Sequence, residues 1–204
     1  MQDQEVISTL RNQLNFSAKN ISDIKIFINE LLRANKKHNF ISKSTENVIW
    51  HRHILDSAQL VKFIDFSKSS LSDLGSGAGF PGLILALFNK NKDFHVKLYE
   101  KSPVKRAFLR YISDKLSLKV EILGNVYENS IDTDYIVSRA FKKLEVIIQV
   151  SREIAKKSHK LLILKGQNAQ EDIKKAFNKE KYDYKLENSI TNEDSKIIIV
   201  DFKK

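Results

Sequence analysis

The chain has no cysteine, two prolines and only six glycines in 204 residues. Without cysteine there is no disulfide, no zinc–thiolate site and no thiol nucleophile. Histidine is sparse as well, at five. Only His51 and His53 are near neighbours. Their i,i+2 spacing places them on different faces of a helix, so no metal pair is expected. No uninterrupted apolar run approaches the roughly eighteen residues of a membrane-spanning helix. The stretch from Met1 to Leu14 is polar, carries Asp3 and Glu5 and lacks an apolar signal core, which reads as cytoplasmic. Acidic residues fall short of basic ones, 25 against 35, leaving a formal charge of +10. An anionic partner, nucleic acid first, is the natural reading. The competing reading is compositional: lysine, asparagine and isoleucine are abundant, as in chains from AT-rich genomes.

What is present suits a globular protein. The apolar share is 42%, and the length fits one domain plus an extension. Residues 1–65 read as an N-terminal helical extension. Ile21, Ile24, Phe27, Ile28, Leu31 and Leu32 recur at offsets of three and four. Ser22 with Lys25 makes a poor capping box for that helix. Ser44 or Thr45 caps a second one through Val48, Ile49, Arg52, Ile54, Leu55 and Leu60. Residues 66–204 alternate strand and helix. Strands are expected at Ser70–Leu74, His95–Tyr99, Lys119–Leu123, Tyr135–Val137 and Lys160–Leu164. Helices are expected at Phe80–Phe88, Pro103–Leu116, Leu144–Ala155 and Asn168–Phe177. Tyr182–Glu187 and Lys196–Phe202 read as a closing hairpin that adds an antiparallel edge strand. The class is α/β, a mostly parallel sheet with helices on both faces.

Four of the six glycines fall in Asp73-Leu74-Gly75-Ser76-Gly77-Ala78-Gly79-Phe80-Pro81-Gly82, which follows the first strand and opens a helix. Glycine permits positive φ and lets a ligand lie against bare backbone. Such a loop sits at the carboxyl ends of the strands, where open α/β sheets bind ligands. Gly77-x-Gly79-x-x-Gly82 fits a dinucleotide fingerprint. Asp73-x-Gly75-x-Gly77-x-Gly79 fits an S-adenosylmethionine loop. The glycines begin directly after the strand, and Pro81 removes an amide from the first helical turn, which weakens a diphosphate cradle. Both favour the second pattern. Glu100 closes the second strand and can accept hydrogen bonds from ribose hydroxyls.

Outside this loop, Trp50-His51-Arg52-His53-Ile54-Leu55-Asp56-Ser57, Lys105-Arg106 with Phe108-Leu109-Arg110, Ser138-Arg139-Ala140-Phe141 and Leu164-Lys165-Gly166 form a more specific combination. With them the chain resembles the ribosomal RNA small-subunit methyltransferase G family, from about Ile24 to Val200. The resemblance implies a class I S-adenosylmethionine-dependent methyltransferase fold, Rossmann-like, with a mostly parallel seven-stranded sheet. It implies transfer of methyl from S-adenosylmethionine to N7 of guanine 527, by the usual bacterial numbering, in the 530 loop of 16S rRNA, with S-adenosylhomocysteine as product. The small ribosomal subunit would be the partner, and the protein a cytoplasmic monomer without metal or membrane attachment. By the same carry-over, Gly75 and Phe80 contact the methyl donor, Tyr127 and Glu128 flank its adenine, and Arg139 lies near its methionine portion. Ala34-Asn35 stands where many members have Trp-Asn, and the segment around Val126 is divergent.

The chemistry suits a site without a catalytic triad. Guanine N7 carries an in-plane lone pair and no proton, so methyl transfer is a direct displacement whose main demand is alignment. Gly77, Gly79 and Glu100 join the cofactor set, and Arg139 and Lys165 are the positioning candidates. Arg139 could instead pair with a nearby acid such as Asp134, and Lys165 could be a solvated strand-end lysine. Arg52, His53 and Asp56, within one helical turn, either line the cleft or dock the extension. Arg52, His53, Lys105, Arg106, Arg110, Lys142 and Lys143 are the RNA-binding candidates, and each basic group can also be an ordinary solvated helix face. A methyltransferase of another RNA or of a small molecule, a nicotinamide-dependent oxidoreductase and a non-catalytic RNA-binding protein remain alternatives on the same fold.

Overall fold

The computed structural model describes residues 2–68, 70–128, 130–139, 142–177 and 183–204. The chain opens with helices α1 (Asp3–Asn12), α2 (Ala18–Asn35) and α3 (Lys43–Glu46). A helical stretch of changing pitch follows. It has a wide π turn at Trp50–Leu55, an α turn α4 (Asp56–Ala58) and a 3-10 turn at Gln59–Phe63. Then come β1 (Ser70–Leu74), α5 (Gly82–Phe88), β2 (His95–Tyr99), α6 (Pro103–Lys115), β3 (Val120–Leu123), a 3-10 turn at Val126–Glu128 and β4 (Tyr135–Arg139). The chain ends with α7 (Leu144–Ile154), β5 (His159–Lys165), α8 (Ala169–Phe177), β6 (Tyr184–Asn188) and β7 (Lys196–Phe202). Ala140, Phe141 and Tyr182, each part of a sequence expectation, lie outside the described residues.

Local chemistry explains most boundaries. Ser17, not Ser22, caps α2: its Oγ accepts the Asn20 amide at 3.1 Å while Asn20 Oδ1 accepts the Ser17 amide at 2.9 Å. This is a capping box with asparagine in the place usually held by Glu or Gln, and it sets the start that the poor Ser22–Lys25 pattern left open. Asn20 Nδ2 then donates to the carbonyl of Leu87 at 2.5 Å, tying α2 to the end of α5. Helix α6 follows the rule for proline in the first turn, with Ser102 as its cap. Helix α5 starts at Gly82 rather than Phe80. The preceding Phe80–Pro81 peptide bond is cis.

The seven strands lie in the order β3-β2-β1-β4-β5-β7-β6. Strands β1 to β5 pair in parallel. Chain order reverses at β1, which has β2 on one side and β4 on the other. That switch point opens a crevice at the carboxyl ends. The closing hairpin departs from expectation. Its antiparallel strand β7 is interior, paired with both β5 and β6, and the edge is β6. The reason is apolar content. Ile197, Ile198, Ile199 and Val200 are all buried, so β7 needs cover on both faces. All five residues of β6 are exposed and suit an edge.

Strand alternation splits the core. One face of the sheet presents Leu71, Leu98, Val137 and Leu162 to α2, α5 and α6 in a cluster that also contains Phe27, Trp50 and Ile54. The other presents Leu74, Ile136, Ile163 and Val200 to Ile147 and Ile148 of α7. Of the α2 stripe, Ile21, Ile24, Phe27, Ile28 and Leu31 are buried. At about 1.5–3 kcal/mol for each fully buried side chain, this face anchors the N-terminal helices firmly to the sheet. No helix among the described residues is long and apolar enough to cross a membrane.

Candidate active site

A cleft of ≈ 1080 Å³ opens over the carboxyl ends of β1, β2, β4 and β5. Its floor is the glycine loop. Gly75, Gly77 and Gly79 all have positive φ, at 76°, 57° and 110°. The loop's amides are largely committed inside the protein. Gly75 and Ser76 donate to the Tyr99 carbonyl, at 2.9 and 3.0 Å, and Gly79 and Phe80 to the Ser76 carbonyl, at 2.7 and 3.0 Å. Gly77 donates to Glu100 Oε2 at 2.9 Å, and Gly82 to Asp73 Oδ2 at 2.9 Å. A diphosphate needs several amides aimed outward. Here the amide at the start of α5 is taken by an internal carboxylate.

Asp73 is fully buried beneath this loop, and its Oδ1 has no hydrogen-bond partner among the described residues. Burial pushes its carboxyl up to about 7, against the pull of the Gly82 amide. Glu100 is fixed on both oxygens, since Oε1 accepts the Ser102 amide at 2.7 Å. Each oxygen still has a lone pair in reserve. Glu100 lines the cleft, so the carboxylate is oriented and able to accept from two hydroxyls.

Opposite the loop stands a cluster that joins distant segments. Arg139, at the end of β4, donates through Nη1 to the Arg52 carbonyl at 3.0 Å and to Asp56 Oδ2 at 3.4 Å. Its Nη2 lies 2.8 Å from His53 Nδ1, and its guanidinium sits 5.0 Å from the centre of the Phe80 ring. Arginine has only donors, so His53 Nδ1 accepts. The imidazole hydrogen is therefore on Nε2, which lies 2.9 Å from Thr45 Oγ1, and Thr45 passes its own hydrogen to the Ser42 carbonyl at 2.8 Å. The His53 ring also stacks on Phe80, with centroids 5.0 Å apart. Asp56 extends the network: its Oδ1 accepts from Gln59 Nε2 and from Thr191 Oγ1 in the turn between β6 and β7.

Burial, reinforced by the adjacent Arg139 guanidinium, holds the His53 imidazole down to about 3. The ring is therefore neutral at physiological pH. The folded value lies below the unfolded value of about 6.5, so His53 contributes stability that is complete above roughly pH 6.5 and lost as pH falls toward 3. Asp73 acts in the opposite sense, its contribution being complete below about pH 4 and lost as pH rises through 7. The windows overlap, so the difference between wild type and His53→Phe isolates the histidine. We expect the acid-side decline in melting temperature to be shallower in the variant. Nitrogen NMR of the wild type should show a neutral Nε2–H ring down to about pH 4. A ring that titrates near 6.5 would contradict the assignment.

The other expected residues divide. Gly75, Gly77, Phe80, Glu100, Tyr127, Arg139, Lys165, Arg52, His53, Lys105 and Lys142 all line the cleft. Gly79, Glu128, Arg106, Arg110 and Lys143 are not on its wall. Glu128 accepts from Asn125 Nδ2 at 3.3 Å on the exposed side of its turn. Arg106 spends its Nη1 on the carbonyls of Glu100 and Lys101, at 2.9 and 2.7 Å, and so braces the turn that carries Glu100. Arg110 is exposed, and Lys143 caps α7. Asp134 pairs with Lys157 at 3.0 Å, leaving Asp56 as the acid that meets Arg139. Lys165 is not simply solvated: its Nζ pairs with Asp172 Oδ2 at 2.8 Å. Among the described residues no cluster of three or more His, Asp or Glu side chains is placed to hold a metal.

A family model described as rRNA small subunit methyltransferase G matches residues 20–198. The chain belongs to the rRNA small subunit methyltransferase G family. The member from Pelagibacter ubique is 36% identical over 192 residues, covering 91% of this chain and 90% of its own. That from Orientia tsutsugamushi strain Ikeda is 34% identical over 197 residues, covering 96% and 97%. Among solved structures, M. jannaschii TYW2 in complex with AdoMet aligns with a TM-score of 0.53 at 19% identity, over 73% of this chain and 74% of that one. A putative S-adenosyl-L-methionine-dependent methyltransferase from Methanococcus maripaludis aligns at 0.54 and 18% identity, over 78% and 89%. The fold is thus that of class I methyltransferases, and the mostly parallel seven-stranded sheet agrees with it.

Within this family fold, the contributors that sequence reasoning missed include four from scattered segments. Phe40, Thr45, Asp172 and Ser195 all line the cleft. None belongs to a motif, and each arrives from a segment whose position is set by packing. Thr45 alone carried a local signal, as a helix-cap candidate.

Proposed function

We propose that this chain methylates N7 of a guanine in small-subunit rRNA, position 527 in the 530 loop of bacterial 16S rRNA, using S-adenosylmethionine and releasing S-adenosylhomocysteine. The observation that carries this reading is the commitment of the glycine-loop amides inside the protein, beside an oriented Glu100. That floor suits a ligand with ribose hydroxyls and no phosphate. When bound, S-adenosylmethionine supplies a methyl group already activated on a sulfonium.

The residues of the chain then have three tasks. Glu100 accepts ribose hydroxyls, and the bare backbone at Gly75 and Gly77 permits close approach. Phe80 and Arg139, held by His53 and Asp56, form a rigid wall, and rigidity is what alignment of an in-line displacement requires. Lys101, Lys105 and Lys142 on the rim offer charge to RNA phosphates. No side chain has to act as a base, because guanine N7 has no proton to lose. This agrees with His53, whose two ring nitrogens are both engaged.

Calorimetry should detect binding of S-adenosylmethionine and of its demethylated product. Purified protein should transfer labelled methyl to small subunits or 16S rRNA, with affinity falling steeply in salt. Mapping of N7-methylguanine by reverse transcription should find one position lost when the gene is deleted. Absence of donor binding would overturn the reading. Activity on a small molecule, indifferent to RNA and salt, would reassign the substrate.

A further inference from the structure

The cleft is large for one occupant. Its ≈ 1080 Å³ lies at the top of the range that a single small molecule fills. With the donor set against the glycine loop and Glu100, a second wall stays open. It contains Ser195 and the ion pair of Lys165 with Asp172. Lys165 ends β5, beside the end of β4: Arg139 is in register with Leu164. The pair therefore borders the switch-point crevice. Its side chains are 18% and 34% exposed, so it is partly withdrawn from water. It presents a cationic donor next to a carboxylate that keeps unused lone pairs.

We propose that this pair reads the Watson–Crick edge of the acceptor guanine, with Lys165 donating to O6 and Asp172 accepting from N1–H and the 2-amino group. The assignment rests on guanine methylation as the function. The acceptor–donor–donor order of O6, N1–H and N2–H belongs to guanine alone among the four bases. Adenine and cytosine place an amino group where O6 would be, facing Lys165 with a second donor. Uracil places a carbonyl where the 2-amino group would be, facing Asp172 with a second acceptor. Both mismatches leave unpaired polar groups in a partly dry site, the stronger form of rejection. N7 lies on the other side of O6 from N1 and stays free to face the methyl. The edge is available only if the base is unpaired and turned out of its stack, as in sequence-specific recognition of RNA loops. Before RNA arrives, the two charges neutralise each other.

The alternative is that the pair merely fastens α8 to β5. Base substitution separates the two. The substrate is a small subunit reconstituted with 16S rRNA carrying guanine or inosine at the acceptor position. Inosine lacks only the 2-amino group. Wild type should methylate inosine with kcat/KM lowered roughly 10-fold, the size of one lost base contact. Asp172→Asn and Asp172→Ala should lose roughly 10- to 100-fold on guanine, treat guanine and inosine alike within about twofold, and bind S-adenosylmethionine as wild type does. Variants that keep the wild-type ratio of guanine to inosine, whether or not activity falls, would overturn the assignment and leave a structural tether. A wild type that binds no donor and methylates neither base would overturn the function itself, and this assignment with it.

Discussion

Replacing Gly82 by alanine should lower stability by ~2–4 kcal/mol and abolish binding of the methyl donor. An added Cβ would lie 2.4 Å from Leu98 Cδ2, 2.6 Å from Asp73 Oδ2 and 2.9 Å from Asp73 Cβ. The leucine tip can yield. The Asp73 Cβ is fixed to β1, so the start of α5 must lift away from the strand. Lifting breaks the Gly82–Asp73 hydrogen bond and leaves a fully buried carboxyl with neither oxygen bonded. It also moves Phe80 and the loop that carries Gly75 and Gly77. In a chain of this length the melting temperature should fall by roughly 10 °C. Gly124→Ala is the matched control. Nothing among the described residues lies within 4 Å of its would-be Cβ, and its stability should match wild type within about 0.5 kcal/mol. A Gly82→Ala protein that melts with the wild type and still binds the donor would refute this account of the loop.

Arg139→Ala should be the second severe change, costing ~2–4 kcal/mol and reducing methyl transfer more than ~100-fold. The guanidinium is 18% exposed and Asp56 16%, so the pair is too sheltered for solvent to replace the lost partner fully. The Arg52 carbonyl and His53 Nδ1 lose their donor at the same time. Arg139→Lys should recover little. A lysine offers one compact ammonium, whereas the fork reaches Arg52, Asp56 and His53 from two nitrogens and lies over Phe80. Thermal melts and single-turnover methylation of both variants would check this. An Arg139→Ala protein that melts within about 2 °C of wild type would show that the cluster is not the brace described above.

Much of this protein could be read along the chain. The β/α alternation, the glycine loop and Glu100 are local signals. A strand, its turn and the next strand's end lie within thirty residues, and short-range chemistry fixes them. The capping box at Ser17 was also local, yet its asparagine disguised it. The role of Arg139 was only half visible. Its position at the end of β4 followed from the motif, but its partner did not. Asp134 is close in sequence, whereas Asp56 is 83 positions away and reaches Arg139 only because α2 and the π turn pack on the same sheet face. Strand order in the closing hairpin was hidden for a related reason. Periodicity shows which residues seek burial, but which neighbour covers them is a long-range choice.

The sequence by itself therefore determined the fold class, the family and the floor of the cleft, because each depends on residue type and spacing within a short segment. Tertiary structure decided the rest. It selected Asp56 and His53 as the partners of Arg139. It joined Gln59 to the distant hairpin, and brought Lys165 and Asp172 together in the wall of the cleft. Such contacts form only when separate segments bury their apolar faces on one sheet, and that burial is non-directional, so no single segment encodes its partner.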